Sequence, residues 1–434
     1  MKRSIFASAA LTFALLASAI ADAQVTSNFQ SYPIGERASG MGGAAVALSE
    51  EAAGAYYNPA GAAFATDDSL AVTANIYGIV GGNYNNLLGP GRDFSFSSLN
   101  ISPNAAASLI HLGKGKDGKP PIWVFCFGVF SPNGYMFDQR NDSVGGAANV
   151  NLSVNDSSVI AGPSFAVRIK DRVSIGFGAS AVFSTLTYRR DFTIISNLNA
   201  NGFGQDYVHT FQSLDETNIG LLFSLGVQWH VNERWSLGLS IRSPTAPLYG
   251  SGTYYVRGIV NTPDVAPTAT MGAGFHAYSI DTQRILPTRV SVGLAYKTGR
   301  LTLAADLQMY MPHPYDEVSG KGFTIRVEND FMANANLGLE YNATKHFLIR
   351  AGAYTDASSG PVPTLTNSGV EQVHLFGGTF GLGWESAHTS NGVSVIAAGG
   401  PISSRAIDLN TGLPFITDGT EWRVYVVYAT SYHF

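Results

Sequence analysis

Residues 218–231, NIGLLFSLGVQWHV, alternate strictly. Ile219, Leu221, Phe223, Leu225, Val227 and Trp229 fall on one face, and Asn218, Gly220, Ser224, Gly226, Gln228 and His230 on the other, with Leu222 the sole apolar exception. Period-two patterning of this kind belongs to a β-strand with one greasy and one polar side. The same pattern sets Val173, Ile175 and Phe177 against Ser174, Gly176 and Gly178, and Leu301, Leu303 and Leu307 against Thr302, Asp306 and Gln308. Charged residues make up 13% of the chain, yet about fifty positions on the apolar faces of nine such stretches carry none. The opposite faces hold Arg168, Lys170, Arg242, Arg289, Asp306, Glu340, Arg350 and Arg423. A chargeless face outside and a polar face inside suit a cylinder in lipid rather than a soluble sandwich.

The other ways of meeting an apolar solvent fall away. Lys2 and Arg3, the apolar stretch Ile5 to Ile20 and Ala21-Asp22-Ala23 read as an export signal over residues 1–23. Beyond it no apolar run reaches the roughly 18 residues of a spanning helix. A closed barrel is the remaining structure that satisfies its backbone in hydrocarbon. A net charge of −5 gives no basic surface for nucleic acid. The lone Cys126 reads as a small apolar group.

The connections alternate in length. Short ones are expected at 113–119, 171–172, 232–234, 298–300, 343–345 and 388–391, and long ones at 81–94, 133–156, 190–216, 246–284, 312–330, 357–372 and 402–420. That order gives fourteen antiparallel strands over 70–434, with tight turns on the periplasmic rim. Trp235, Tyr296, Tyr341, Trp384 and Trp422 lie near strand ends, as interfacial aromatics do. The final stretch, EWRVYVVYATSYHF, ends on Phe434 and resembles the terminal signature read by barrel-assembly machinery; pairing with the first strand would cover its edge. The fold class is therefore all-β, a 14-stranded antiparallel transmembrane β-barrel. Its expected location is the outer membrane of a Gram-negative bacterium, as a monomer amid outer-membrane lipid and lipopolysaccharide.

Residues 24–69 precede the wall. Within GMGGAAVALSEEAAGAYYNPAG, residues 40–61, twelve of twenty-two positions are Gly or Ala. Small residues let a backbone fold inside a confined cylinder, and a fourteen-stranded bore is wide enough to need filling. This segment is expected to be an N-terminal hatch in the lumen. Its residues Arg37-Ala38, Met41-Gly42-Gly43-Ala44 and Asn58-Pro59-Ala60-Gly61 resemble the hatch of the FadL/TodX family of outer-membrane transporters for long-chain fatty acids and other hydrophobic compounds. LSIRSPT at 239–245, LPTRVSVGLAYK at 286–297, LTLAADLQMY at 301–310 and LIRAGAYTDASSG at 348–360 extend the likeness along the chain.

The resemblance implies a hydrophobic ligand that enters a plugged barrel and leaves sideways at a kink in the third strand. Here that strand is IWVFCFGVFSP, 122–132, which is apolar on both faces. Phe125, Phe127, Gly128, Phe130 and Pro132 are the gate candidates; packing of this strand against the hatch is the other reading. Gly128 and Pro132 would weaken the ladder locally, one lacking a side chain and the other an amide donor. A fatty-acid carboxylate would need a cation in low dielectric, which makes the inward Arg242, Arg289, Arg350 and Arg423 candidates, unless each is paired with a carboxylate that holds the plug. Similar hatch motifs resemble PorV-type secretion barrels, and a small-solute porin is a further alternative. GKGKDG at 113–118 joins two strands and so fails as a dinucleotide loop. The nine His lack metal spacing, and no nucleophile elbow is present. Neither a cofactor nor an enzymatic activity is expected.

Overall fold

A computed structural model describes residues 28–434 apart from 88–90, 92, 114–121, 143–147, 197–205, 262–269, 321–322, 366–370 and 408–413. The export signal, the first residues of the expected hatch and most of the basic turn lie outside the described residues.

The strands are β1 Ser69–Tyr84, β2 Phe94–Leu112, β3 Trp123–Asp142, β4 Ala148–Lys170, β5 Val173–Ser196 and β6 Asp206–His230. Then come β7 (Trp235–Arg242 and Ala246–Asn261), β8 (Thr270–Thr282 and Arg289–Thr298), β9 (Leu301–Tyr310 and Tyr315–Gly320) and β10 (Phe323–Val327 and Met332–Asn342). β11 is Phe347–Asp356, β12 comprises Gln372–Val373 and Leu375–Glu385, β13 is Thr389–Ile407 and β14 is Pro414–His433. Nineteen hydrogen-bonded stretches thus make fourteen strands, five of them broken once. Every neighbouring pair is antiparallel, and β1 pairs with β14 from Ser69↔His433 to Tyr84↔Gly419, so the sheet closes on itself.

The long connections are largely strand. β3 runs on to Asp142, β5 to Ser196, and β6 begins at Asp206, within stretches expected as loops at 133–156 and 190–216. With 25 residues, β6 is about 80 Å long at about 3.3 Å per residue. About 9–11 residues suffice to cross a membrane, so the hairpins continue well beyond it. Hydrophobic alternation marks only the stretch in lipid; past it the strand keeps its hydrogen bonds while its outward face turns polar. Within 246–284, residues 246–261 and 270–282 are likewise β7 and β8 strand.

The outward face of the wall carries exposed Phe177, Phe223, Leu225, Leu303, Leu337 and Trp384. The inward face buries Arg242, Arg289, Asp306, Glu340, Arg350 and Arg423. Residues 28–65 lie against this inward face. They form the helical turn α1 Glu36–Gly40 and two 3-10 turns, Ala52–Tyr56 and Pro59–Phe64. Pro59–Phe64 packs on β4, β5 and β6, α1 on β12 and β13, and Ala52–Tyr56 on β2 and β3, so this inner segment bridges the bore.

Candidate lateral gate and ligand-anchoring site

The inner segment is seated by backbone on backbone. Asn58 is fully buried; its amide donates to Val46 O and to Val227 O of β6, both at 3.0 Å, and its Oδ1 accepts from Ala60 N at 3.1 Å. Pro59 opens the helical turn, and Ser174 of β5 donates to Ala60 O at 2.8 Å. Gly42 and Gly43 have φ of +63° and +82°, values that favour glycine, and fold the chain so that Gly42 N donates to Thr379 Oγ1 and Asn336 donates to Gly42 O. Met41 is buried beside them. Asp306 accepts Ala45 N at 2.7 Å and Val46 N at 2.9 Å, so it holds the inner backbone rather than an arginine.

The wall meets this backbone with glycine. A Cβ at Gly226 would lie 2.1 Å from Asn58 Oδ1, at Gly238 2.2 Å from Val46 O, and at Gly352 2.2 Å from Gly42 N. These wall positions complete the seat and were not singled out as partners of the hatch from sequence. The available signal was the recurrence of Gly on inward faces.

Between β2 and β3 the wall opens. Their ladder runs only from Leu112↔Trp123 to Ala105↔Phe130. Beyond it β2 pairs with β1 alone, while β3 slips register against β4 between Phe130 and Asn133. Pro132, without an amide donor, sits in that slip. The inner segment fills the cleft. Ser31 N donates to Pro132 O at 2.9 Å and Ser31 Oγ to Asn133 Oδ1 at 2.6 Å. On the β2 side Tyr32 Oη lies 3.1 Å from Ser102 Oγ, Asn104 Nδ2 donates to Pro33 O at 3.0 Å, and Gly35 N donates to Asn104 Oδ1 at 2.9 Å. Asn104, fully buried, ties β2 to the inner segment and was missed from sequence because one Asn in a strand carries no pattern.

The five gate candidates divide by face. Phe125 and Phe127 lie on the outward side, Phe127 being 44% exposed, so they meet lipid rather than the bore. Gly128 and Phe130 face inward, and the Phe130 ring packs 5.4 Å from that of Tyr56.

The four arginines divide as well. Arg350 pairs with Glu36 and Glu340, both at 2.8 Å, and Glu340 also takes Arg37 at 2.7 Å. Arg423 contacts Glu421 and lies 3.8 Å from Asp356. Arg242 and Arg289 have no carboxylate partner among the described residues. They sit directly opposite each other on β7 and β8, buried at 8% and 3% exposure. Both guanidinium groups stack on the Tyr56 ring, at 4.5 and 5.1 Å, and both donate to Tyr56 O, at 2.7 and 3.2 Å. Arg289 Nη1 is buried without an acceptor. Arg289 also bonds the Tyr310 hydroxyl. Two like charges sharing one ring, one carbonyl and neutral hydroxyl contacts are incompletely compensated, since a cation–π contact contributes about 0.5–2 kcal/mol against a desolvation penalty of several.

Toward the periplasm a cavity of 560 Å³ is lined by Glu36, Arg37, Glu51, Glu340, Arg350 and Lys345. Burial and the neighbouring Glu36 charge push the Glu51 carboxyl up to about 7. Burial would raise Glu50 too, but its hydrogen bond with His230 and the Lys297 charge outweigh that and hold it at about 2.

Solved structures with this fold are similar at low identity. The toluene transporter TodX of P. putida matches with a TM-score of 0.67 and 14% identity, covering 93% of this chain and 99% of that one. A Pseudomonas aeruginosa FadL homologue gives 0.63 and 14% over 94% and 100%, and the Ralstonia pickettii toluene transporter TbuX 0.58 and 13% over 93% and 98%. No curated protein matches the sequence. A family profile covers residues 14–366, and the chain belongs to the outer membrane protein transport proteins (OMPP1/FadL/TodX).

Proposed function

We propose that the chain takes up long-chain fatty acids or similar hydrophobic carboxylates passively, with residues 24–69 acting as the hatch and the β2–β3 cleft as the lateral exit. The observation that carries this reading is the pairing of a wall cleft stoppered by residues 31–35 with an uncompensated arginine pair beside it, joined through Tyr56. A carboxylate offers each guanidinium a charged acceptor better than the Tyr56 carbonyl. Accepting it would free Tyr56, whose ring abuts Phe130 below the cleft, and so loosen the stopper. The apolar tail then lies beside Phe130 and the opening toward lipid. Arg350 and Arg423, neutralised by carboxylates, serve the scaffold. In this reading Phe125 and Phe127 form the lipid-side lip, and the protein moves its ligand without converting it.

The test measures binding and uptake of labelled oleate by the refolded barrel. Arg242→Gln with Arg289→Gln should weaken binding at least tenfold, since a hydrogen bond to a charged group contributes about 1.5–3 kcal/mol. A neutral hydrocarbon such as toluene should be unaffected. An oxidised Ser31→Cys/Asn133→Cys link should retain binding and lose uptake. Unchanged oleate affinity in the arginine variant would refute the anchor, and undiminished uptake through the locked cleft would refute the exit. Ohmic conductance indifferent to oleate would favour a porin, and a secretion defect alone a secretion barrel.

A further inference from the structure

Three carboxylates and one guanidinium are gathered on the loop side of the stretches that alternate for lipid. Asp156 of β4, Glu216 of β6 and Glu317 of β9 are all buried, at 4% exposure or less, and Arg284 enters among them from the break in β8. Arg284 is engaged by Asp156, its Nη2 donating to Oδ2 at 2.6 Å, while its Nη1 stands 4.0 Å from Glu216 Oε1. The Asn218 amide attends Glu216. Glu317 enters no ion pair among the described residues, and its Oε2 is buried there without a hydrogen-bond partner. One positive charge against three negative ones leaves the cluster short of a cation, and a buried carboxylate oxygen without a donor is costly.

Glu317 and Arg284 line a cavity of 40 Å³ inside the bore, whose apolar side is Phe29, Pro132, Leu286 and Val327. A water-sized group takes about 10–15 Å³ of such volume, so about three fit. The cavity reaches Pro132 and Asn133, the two residues at the edge of the β2–β3 cleft that Ser31 bonds. It therefore has an acidic end at β9 and an apolar end at the cleft. Among the described residues no three acids, His or Cys are arranged to hold a metal ion. An ammonium asks less of the geometry, because its three donors turn freely toward separate acceptors.

We propose that this cavity receives the head of a primary alkylammonium, which donates to Glu317 Oε2 and is held by the negative charge of Glu216 behind it. The small volume admits the nitrogen and the methylenes next to it, and the remaining tail runs past Phe29 and Pro132 toward the cleft. A quaternary ammonium is too bulky and has no proton to donate. Cationic amphiphiles are thus a second ligand class, distinct from the carboxylates offered to Arg242 and Arg289.

Equilibrium dialysis of labelled dodecylamine, dodecanol and dodecyltrimethylammonium against the refolded full-length barrel in a neutral detergent tests the assignment, with protein-free micelles as the blank. The wild type should bind the primary amine more tightly than the alcohol or the quaternary ion of the same chain length, a comparison that needs no variant. Glu317→Gln keeps the shape of the side chain and removes its charge. With assembly verified by heat-modifiable gel migration, it should weaken dodecylamine binding about tenfold or more and leave dodecanol binding unchanged. Equal affinity for amine and alcohol in the wild type overturns the proposal, as does amine binding unaltered in Glu317→Gln or lost in equal measure with the alcohol. Failure of the oleate anchor would leave these results untouched, because neither Arg242 nor Arg289 lines this cavity.

Discussion

Gly226→Ala is the sharpest test of how the inner segment is seated. A Cβ there would stand 2.1 Å from Asn58 Oδ1 and 3.1 Å from Ala60 N, so Asn58 must withdraw by about 1.3 Å to reach ordinary contact at 3.4 Å. That movement disrupts its bonds to Val46 O, Val227 O and Ala60 N. At about 1 kcal/mol for each bond, with a further 1–3 kcal/mol for a buried polar group left unpaired, unseating costs about 4–6 kcal/mol. The penalty falls on the inner segment, since the β5–β6–β7 ladder needs no side chain at this position. Planar-bilayer recording should therefore show frequent openings absent from the wild type, while heat-modifiable migration is unchanged. Gly378→Ala is the control, because its nearest atom would be 3.8 Å away. A closed, silent Gly226→Ala barrel with normal protection of residues 41–60 would refute the backbone-on-backbone account.

Two further outcomes follow from the site. Glu51 has its carboxyl raised to about 7 from the ordinary 4.5, so it favours the seated state fully below about pH 4.5 and loses that contribution as pH rises through about 7. The shift corresponds to about 3 kcal/mol, less for a group that lines a watery vestibule. Amide protection of residues 36–56, corrected for intrinsic exchange, should fall between pH 5 and pH 8 in the wild type and stay level in Glu51→Gln; parallel curves would exclude Glu51 as the cause. Phe127→Arg puts a charge on the lipid face at a cost of about 2–4 kcal/mol, so it should lower the yield of assembled barrel, whereas Phe130→Ala should assemble normally and alter uptake. Normal assembly of Phe127→Arg would mean the residue does not face hydrocarbon.

The barrel was legible because lipid imposes its demand on every second residue, as in NIGLLFSLGVQWHV, where the outward set Phe223, Leu225 and Trp229 is exposed. What lipid does not touch left weaker traces. The extensions of β3 to β6 escaped because a strand in water keeps its ladder without an apolar face. Gly226 falls on the polar face of residues 218–231 without further signal, since the role of the glycines at 226, 238 and 352 is to present no atom at all to a backbone distant in sequence. Phe125 and Phe127 were legible as apolar but not as outward, because a strand greasy on both faces hides its own register.

The arginines show where pattern stops carrying information. Arg242, Arg289, Arg350 and Arg423 share the same signature, a cation on an inward strand face, and alternation cannot rank them. Their partners come from other strands and from the inner segment. Glu340 lies on the strand beside Arg350, and Glu36 is 314 residues away in sequence. Across β7 and β8, by contrast, Arg242 faces Arg289; both share the ring and carbonyl of Tyr56, Arg289 also bonds the Tyr310 hydroxyl, and among the described residues neither has a carboxylate partner. Separation along the sequence hides such an arrangement in one dimension, while electrostatics makes it conspicuous in three. A scaffold would gain from a carboxylate at this point, as it does around Arg350 and Arg423, and a site that receives a carboxylate from outside would be blocked by one.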